Sequence, residues 1–192
     1  ERTASGSRWK PLSATAGVDG MTGPAGQPSR GWELSVPPAR WTRIYGAGPE
    51  SPWLLPGLRA LGAHVALVER RPRWKDAAVF ADAWHEATPA TVAWPAIDAS
   101  VLAAGTIAIV QHHDFELDRE ALLALAATPV PWIGLLGPLR RRDELLRLLP
   151  EPVQASLLPR VHGPVGLDLG GQGPEVIALS ICAQLQQYWS RR

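Results

Sequence analysis

Four short stretches of this 192-residue chain carry the residue types that chemistry or ligand binding requires. The first is Gly46-Ala47-Gly48-Pro49-Glu50-Ser51, followed 21 residues after Gly48 by Glu69. Glycines for a tight turn, a helix start for a phosphate and a later acid for a ribose hydroxyl make a dinucleotide fingerprint. Ser51 stands in for its third glycine. Pro49 removes one N–H that could face a phosphate, and Glu50 places a negative charge there. The second stretch is Gln111-His112-His113-Asp114-Phe115-Glu116-Leu117-Asp118. Two histidines and an aspartate can ligate a metal, but neighbouring side chains diverge on an extended chain. Asp114 is better suited to orienting His113 or capping a helix.

The third stretch is Gly134-Leu-Leu-Gly137-Pro-Leu-Arg140-Arg141-Arg142. Cations near a helix start oppose the macrodipole, so they either meet an anion or pair with Asp143 and Glu144. The fourth runs Val161-His162-Gly163-Pro-Val-Gly166-Leu-Asp168-Leu-Gly170-Gly171. It joins a histidine, an aspartate and four glycines in one loop. Asp168 either faces a ligand with its forked acceptors or ties down its own turn. Glu69-Arg70-Arg71-Pro72 adds a basic turn, read as solvated for any single arginine, although Arg70, Arg71 or Arg73 could meet an anion.

Alternating strand and helix signals position these stretches. Strands are expected at 41–45, 64–69, 91–94, 106–110 and 130–136. Helices are expected at 51–61 (weakened by Pro56), 73–86, 97–103, 118–127, capped by Asp118, 139–149 and 175–185. Such alternation predicts an α/β fold: a Rossmann-like, doubly wound parallel sheet with helices on both faces. The order strand, Gly-x-Gly, helix, strand sets 41–45 centrally with 64–69 beside it. Ligands then bind where strand C-terminal ends share an edge. The predicted cleft is lined by Gly46, Gly48, Ser51, Glu69, His113, Asp114, Gly137, Arg140, His162, Gly163 and Asp168, with His113 and His162 on one edge. Residues 1–40, rich in Gly, Ser, Pro and Thr, read as a linker or the remnant of another domain, with Trp9 and Trp32 docking on the main body. Residues 41–192 form that body.

Composition excludes several classes. The chain has 19 basic and 18 acidic residues, without the basic excess of a nucleic-acid binder. All the basic residues except Lys10 and Lys75 are arginine, as a GC-rich genome would encode. Cys182, the one cysteine, allows neither an intrachain disulfide nor a multi-cysteine zinc site, and its apolar neighbours mark it as a packing residue. No apolar run reaches the ~20 residues of a membrane span, and no secretory signal is visible, so a cytoplasmic protein is expected.

His162-Gly-Pro-Val-Gly-Leu-Asp168-Leu-Gly170, followed by Ile177-Ala-Leu-Ser-Ile181, resembles the C-terminal Rossmann-like domain of the XdhC/CoxI family, the xanthine dehydrogenase accessory proteins. Glu69-Arg-Arg-Pro72 is similar to the family's Asp-Pro-Arg-Pro-like stretch. His113, Asp114, Leu117 and Asp118 match a Thr-His-Asp-x-x-Leu-Asp-like pattern, with His112 in place of the threonine. Gly137 and Arg140 align with a Gly-Ser-Arg-Arg-like pattern interrupted by Pro138-Leu139. Pro174 and Ile177 match Thr-Pro-Ala-Glu-Ile-Ala, with Gly173 for the threonine. The resemblance covers about residues 41–185. It implies a chaperone that binds molybdenum cofactor (molybdopterin), shields it and delivers it to a molybdenum hydroxylase such as xanthine dehydrogenase or carbon monoxide dehydrogenase. It also implies sulfuration of the metal with a cysteine desulfurase, and it leaves a homodimer open.

Two readings compete with the cofactor chaperone. One is an NAD(P)-dependent oxidoreductase using the Gly46–Glu69 fingerprint, for which the chain lacks a Tyr-x-x-x-Lys relay. The other is a Rossmann interaction module without ligand, whose nine tryptophans supply contact area.

Overall fold

The computed structural model describes residues 40–94, 98–103 and 105–191. The 1–39 segment, with Trp9 and Trp32, and the first position of the helix expected at 97–103 lie outside the described residues.

Short β-branched and aliphatic runs form six strands: β1 Arg40–Tyr45, β2 Ala63–Val68, β3 Ala83–His85, β4 Ile107–Val110, β5 Trp132–Leu135 and β6 Val161–His162. All pair in parallel, in the order β3-β2-β1-β4-β5-β6. This order reverses direction between β1 and β4, which creates a switch point, the crevice where open α/β sheets bind ligands. The expected centre, β1 flanked by β2, is as observed. The helices are α1 Ser51–Ala60, α2 Ala99–Ala103, α3 Phe115–Ala126, α4 Leu139–Arg147, α5 Glu151–Leu157 and α6 Pro174–Ser190.

The period-2 pleat divides the strand residues between two cores. Ile44, Val65, Leu67, Ile107, Ile109 and Trp132 face α1 and α6, meeting Leu54, Leu58, Ile181 and Leu185. Tyr45, Val68, Ala108, Val110, Ile133 and Leu135 face the other way, onto Leu122, Leu125, Leu145 and Leu157. Burial of the sheet on both faces explains why its strands read as continuous apolar runs.

Several expectations are corrected. Residues 73–86 are not one helix: a tight 3-10 segment, Pro72–Phe80, leads into β3. Residues 91–94 form no strand; a short 3-10 turn, Pro89–Thr91, precedes them, and Arg43 takes up the carbonyls of Val92 and Ala93. The α3 helix starts at Phe115, capped by Asp114, whose Oδ1 accepts the Leu117 N–H at 3.0 Å, so Asp118 is not the cap. Pro56 sits inside α1 without ending it. β6 and α5 have no counterpart among the expected elements. β6 has only two residues, and α5 opens with Pro152 near its start, a helix signal easily read as a break.

The α6 helix locks the sheet through close approaches. Gly57 of α1 faces Cys182 of α6, where a Cβ would lie 2.8 Å from Sγ. Burial there pushes the Cys182 thiol up to about 11, as befits an inert packing residue. Trp189 donates its indole N–H to the Gly105 carbonyl at 2.8 Å, just ahead of β4. Gly105 has φ +97°, and a Cβ there would meet the Trp189 ring at 2.6 Å. Gly105→Ala therefore combines left-handed strain with overpacking. It is expected to cost about 2–4 kcal/mol in urea unfolding; an unchanged midpoint would contradict this packing.

Candidate functional site

The C-terminal ends of β2, β1 and β4 converge on one side chain. Arg71 leaves the turn after β2 and bonds the Glu69 carboxylate through Nε at 2.9 and 3.1 Å, and also through Nη2. The same guanidinium donates to the Ala47 carbonyl at 3.0 Å and to the His112 carbonyl at 2.6 Å. Glu69 is buried and accepts two further amides, Ala47 at 2.9 Å and Arg71 at 2.7 Å. Burial alone would raise the Glu69 pKa, but the bonds from Arg71 and these amides overcome it, so the net shift is downward. Glu69, expected to hold a ribose hydroxyl, spends both oxygens inside the chain.

The loop after β1 is similarly self-satisfied. Gly46 has φ +90°, and a Cβ there would lie 2.5 Å from the His112 backbone, so only glycine lets the two loops meet. Its N–H bonds the Val68 carbonyl at 2.9 Å. The Gly48 N–H goes to Ser51 Oγ at 3.0 Å, the Ser51 N–H to the Gly48 carbonyl at 3.0 Å, and the Trp53 N–H to the Glu50 carbonyl at 3.1 Å. Pro49 and Pro52 have no N–H. The Ala47, Gly48 and Ser51 amides, of the kind that cradle a pyrophosphate in a dinucleotide fold, are bonded within the chain here.

Acceptors are left over instead. Glu50 is 2% exposed, and its Oε1 has no hydrogen-bond partner. Gln111 is fully buried: its Nε2 reaches Ser51 Oγ at 3.4 Å, while its Oε1 has no partner. His113, half exposed and at φ +56°, sets Nε2 3.5 Å from Glu50 Oε2. The His112 ring points elsewhere: Nδ1 contacts Asp118 Oδ1 at 3.1 Å, and Asp118 Oδ2 takes Arg141 Nη2 at 2.7 Å. The adjacent histidines thus serve different carboxylates.

The remaining expected residues are scattered. Asp114 is a helix cap. Gly137 makes room for Arg141, since a Cβ there would meet its Cδ at 2.8 Å. Arg140, aligned with the cleft in sequence, is 88% exposed and pairs with Glu144; Arg141 is the arginine that turns inward. Its place is readable, because Leu145 and Leu146, four residues beyond 141 and 142, are the buried face of α4. His162 ends β6 on the same sheet edge as His113, but its ring stacks on Trp132 at 4.8 Å. Desolvation there lowers its pKa below the usual histidine value. Gly163 accepts Arg142 on its carbonyl at 3.1 Å. Asp168 is exposed, and its Oδ1 takes the Gly170 N–H at 3.2 Å within its own turn. The glycine-rich loop is held to α6 by Gly166 N–H to Gln184 at 2.8 Å and Leu167 N–H to Ser180 at 3.2 Å. Glu50, Arg71, Gln111, His112 and Asp118 are the site residues that the sequence underrated. Asp118 carried a signal, sharing the 118, 121, 122, 125 stripe of α3 that is buried.

A family profile described as the XdhC Rossmann domain matches residues 43–185. A protein of Bacillus subtilis (strain 168), named as a probable subunit of xanthine dehydrogenase, is 28% identical over 146 residues, 75% of this chain and 41% of that protein. The uncharacterized protein YqeB of Escherichia coli (strain K12) is 41% identical over 71 residues, 36% of this chain and 13% of its own length. A crystal structure described as a xanthine dehydrogenase from Bacillus halodurans superposes with a TM-score of 0.65 at 30% identity, covering 81% of this chain and 44% of that one. The chain spans less than half the length of each of these relatives.

The Glu69 shift has a definite sign. A carboxylate whose folded pKa is lowered contributes stability above the ordinary carboxylate range and loses it as pH falls through the folded value. Urea unfolding from neutral to acid pH is expected to show that loss, and Glu69→Gln to flatten it. Arg71→Leu, which strands a buried carboxylate, is expected to cost about 3 kcal/mol at neutral pH. An acid profile unchanged in Glu69→Gln would contradict the pairing. Asp168→Asn, by contrast, keeps the turn acceptor on an exposed loop and is expected to shift stability by less than about 0.5 kcal/mol.

Proposed function

With most of its length matching the family profile, the chain belongs to the XdhC family through its Rossmann domain, and from that premise we propose that it is an accessory module that holds molybdenum cofactor as cargo for a molybdenum hydroxylase. The client would be of the xanthine dehydrogenase or carbon monoxide dehydrogenase kind, with a cysteine desulfurase sulfurating the metal. The names borne by the Bacillus relatives support the client class. The Rossmann sheet supplies the place, the β1–β4 switch point.

One observation carries the reading: the crevice has spent the Gly46, Ala47, Gly48 and Ser51 amides and kept two acceptors. The buried, unpartnered oxygens of Glu50 and Gln111 suit a group rich in N–H, such as a pterin ring. The consumed amides of Ala47 and Gly48 do not suit a phosphate, so the cargo's phosphate lies outside this loop. Gly46, Gly48 and His113 border the crevice, and the 163–171 loop lies along the same edge as a surface for the client. The protein's own work is to bind, orient and exclude water; when bound, the cofactor brings the metal chemistry that the client uses.

The same observation weighs against the NAD(P)-dependent reading, which needs those amides for its pyrophosphate. Gel filtration after mixing the chain with molybdenum cofactor released from a donor enzyme separates the two. Molybdopterin is expected to co-elute and to activate cofactor-free xanthine dehydrogenase, while NAD⁺ is not retained. Retention of NAD⁺ without molybdopterin would overturn the proposal in favour of the oxidoreductase.

A further inference from the structure

Three buried carboxylates lie near the C-terminal ends of β1, β2 and β4, and their partners differ. Glu69 has the Arg71 guanidinium. Asp118 has the Arg141 guanidinium and the His112 ring. Glu50, 2% exposed, has only His113 Nε2 at 3.5 Å, with Oε1 unbonded. The charge of Glu50 is therefore the one that the crevice leaves uncompensated by arginine. A buried acceptor without a donor costs free energy that an incoming donor recovers.

The Glu50 carboxylate sits against Gly48 because that residue has no side chain. A Cβ on Gly48 would lie 2.5 and 2.7 Å from the two Glu50 oxygens and 2.8 Å from His113 Nε2. Gly48, unlike Gly46, has no positive φ, so its lack of a side chain matters for room rather than for backbone conformation. His113 is half exposed and lies against the nearly buried Glu50 carboxylate, with Nε2 3.5 Å from Oε2. Gln111, whose Nε2 reaches the Ser51 hydroxyl at the start of α1, contributes the second unpartnered acceptor, Oε1.

We propose that Glu50, assisted by Gln111 and flanked by His113, forms a subsite for a planar amidine-like N–H pair, the aminopyrimidinone edge shared by pterins and guanine, and that it excludes phosphate from the position a dinucleotide would occupy. A carboxylate accepts such a pair in a fork, and a site built for it rejects an analogue lacking one N–H far more strongly than a shape-matched pocket would. The inference deepens the cargo reading, on which it rests for choosing pterin over guanine. It states which end of the cargo enters the crevice.

Fluorescence titration of the whole chain with pterin, with guanosine, and with lumazine, in which a carbonyl replaces the amino group, tests it. Pterin is expected to bind about tenfold or more tighter than lumazine, and inorganic pyrophosphate is expected not to compete. Glu50→Gln, isosteric and uncharged, is expected to erase the pterin preference. Gly48→Ala, whose Cβ would displace the Glu50 carboxylate and the His113 ring, is expected to abolish binding, with circular dichroism unchanged in both variants. Equal affinity for pterin and lumazine, an undiminished preference in Glu50→Gln, competition by pyrophosphate, or no binding of pterin up to about 1 mM would each overturn the subsite. Tighter guanosine than pterin would keep the subsite and remove the cargo reading. Molybdopterin retained equally by wild type and Glu50→Gln would keep the cargo reading and remove the subsite.

Discussion

The arrangement of this edge depends on one guanidinium. Arg71 reaches from the turn after β2 to the carboxylate at the end of that strand, to the Ala47 carbonyl after β1 and to the His112 carbonyl after β4. In a parallel sheet these three loops have no ladder to hold them together beyond the last strand pair. A single rigid, forked donor does so, and its charge is balanced locally by Glu69. Gly46 is the steric counterpart, since the loops touch only because it carries no side chain.

That tie sets the polarity of the crevice. Glu69 draws in the Ala47 amide, Ser51 takes the Gly48 amide, and two prolines remove further donors, so the start of α1 offers little to an anion. Beside it, Glu50 Oε1 and, from the end of β4, Gln111 Oε1 are buried without hydrogen-bond partners. At the position where this fold elsewhere receives a pyrophosphate, a handful of side chains on the same sheet engage the amides and leave two acceptor oxygens. The second carboxylate network, Asp118 with His112 and Arg141, steadies the β4 side and directs His112 away from His113.

Much of the frame was legible in the residues. The glycine turn between two apolar runs placed β1, α1 and β2, and the alternation of elements pointed to the parallel sheet. Elements too short to show a period, such as the two-residue β6 and the three-residue β3, were not legible. At the site, residue type was easier to read than direction. Successive residues on a helix point about 100° apart, so Arg140 and Arg141 look alike in sequence while one faces solvent and the other a buried aspartate. The packing stripe of α4 resolves them, whereas nothing local announces that Arg71 turns back onto Glu69, because that contact depends on where the chain goes after β2. His162 and Asp168 stand out for their chemistry, yet one stacks on Trp132 and the other closes its own turn.

In the β1–α1 loop the Ala47, Gly48 and Ser51 amides are bonded inside the protein, and Pro49 and Pro52 carry none. Backbone amide NMR of the chain during titration with NAD⁺ tests it directly. The Ala47, Gly48 and Ser51 amide signals are expected to stay in place as NAD⁺ rises to about millimolar levels, because each amide is already bonded inside the protein. Saturable shifts confined to those three amides would contradict it, showing that the loop opens to receive a pyrophosphate after all.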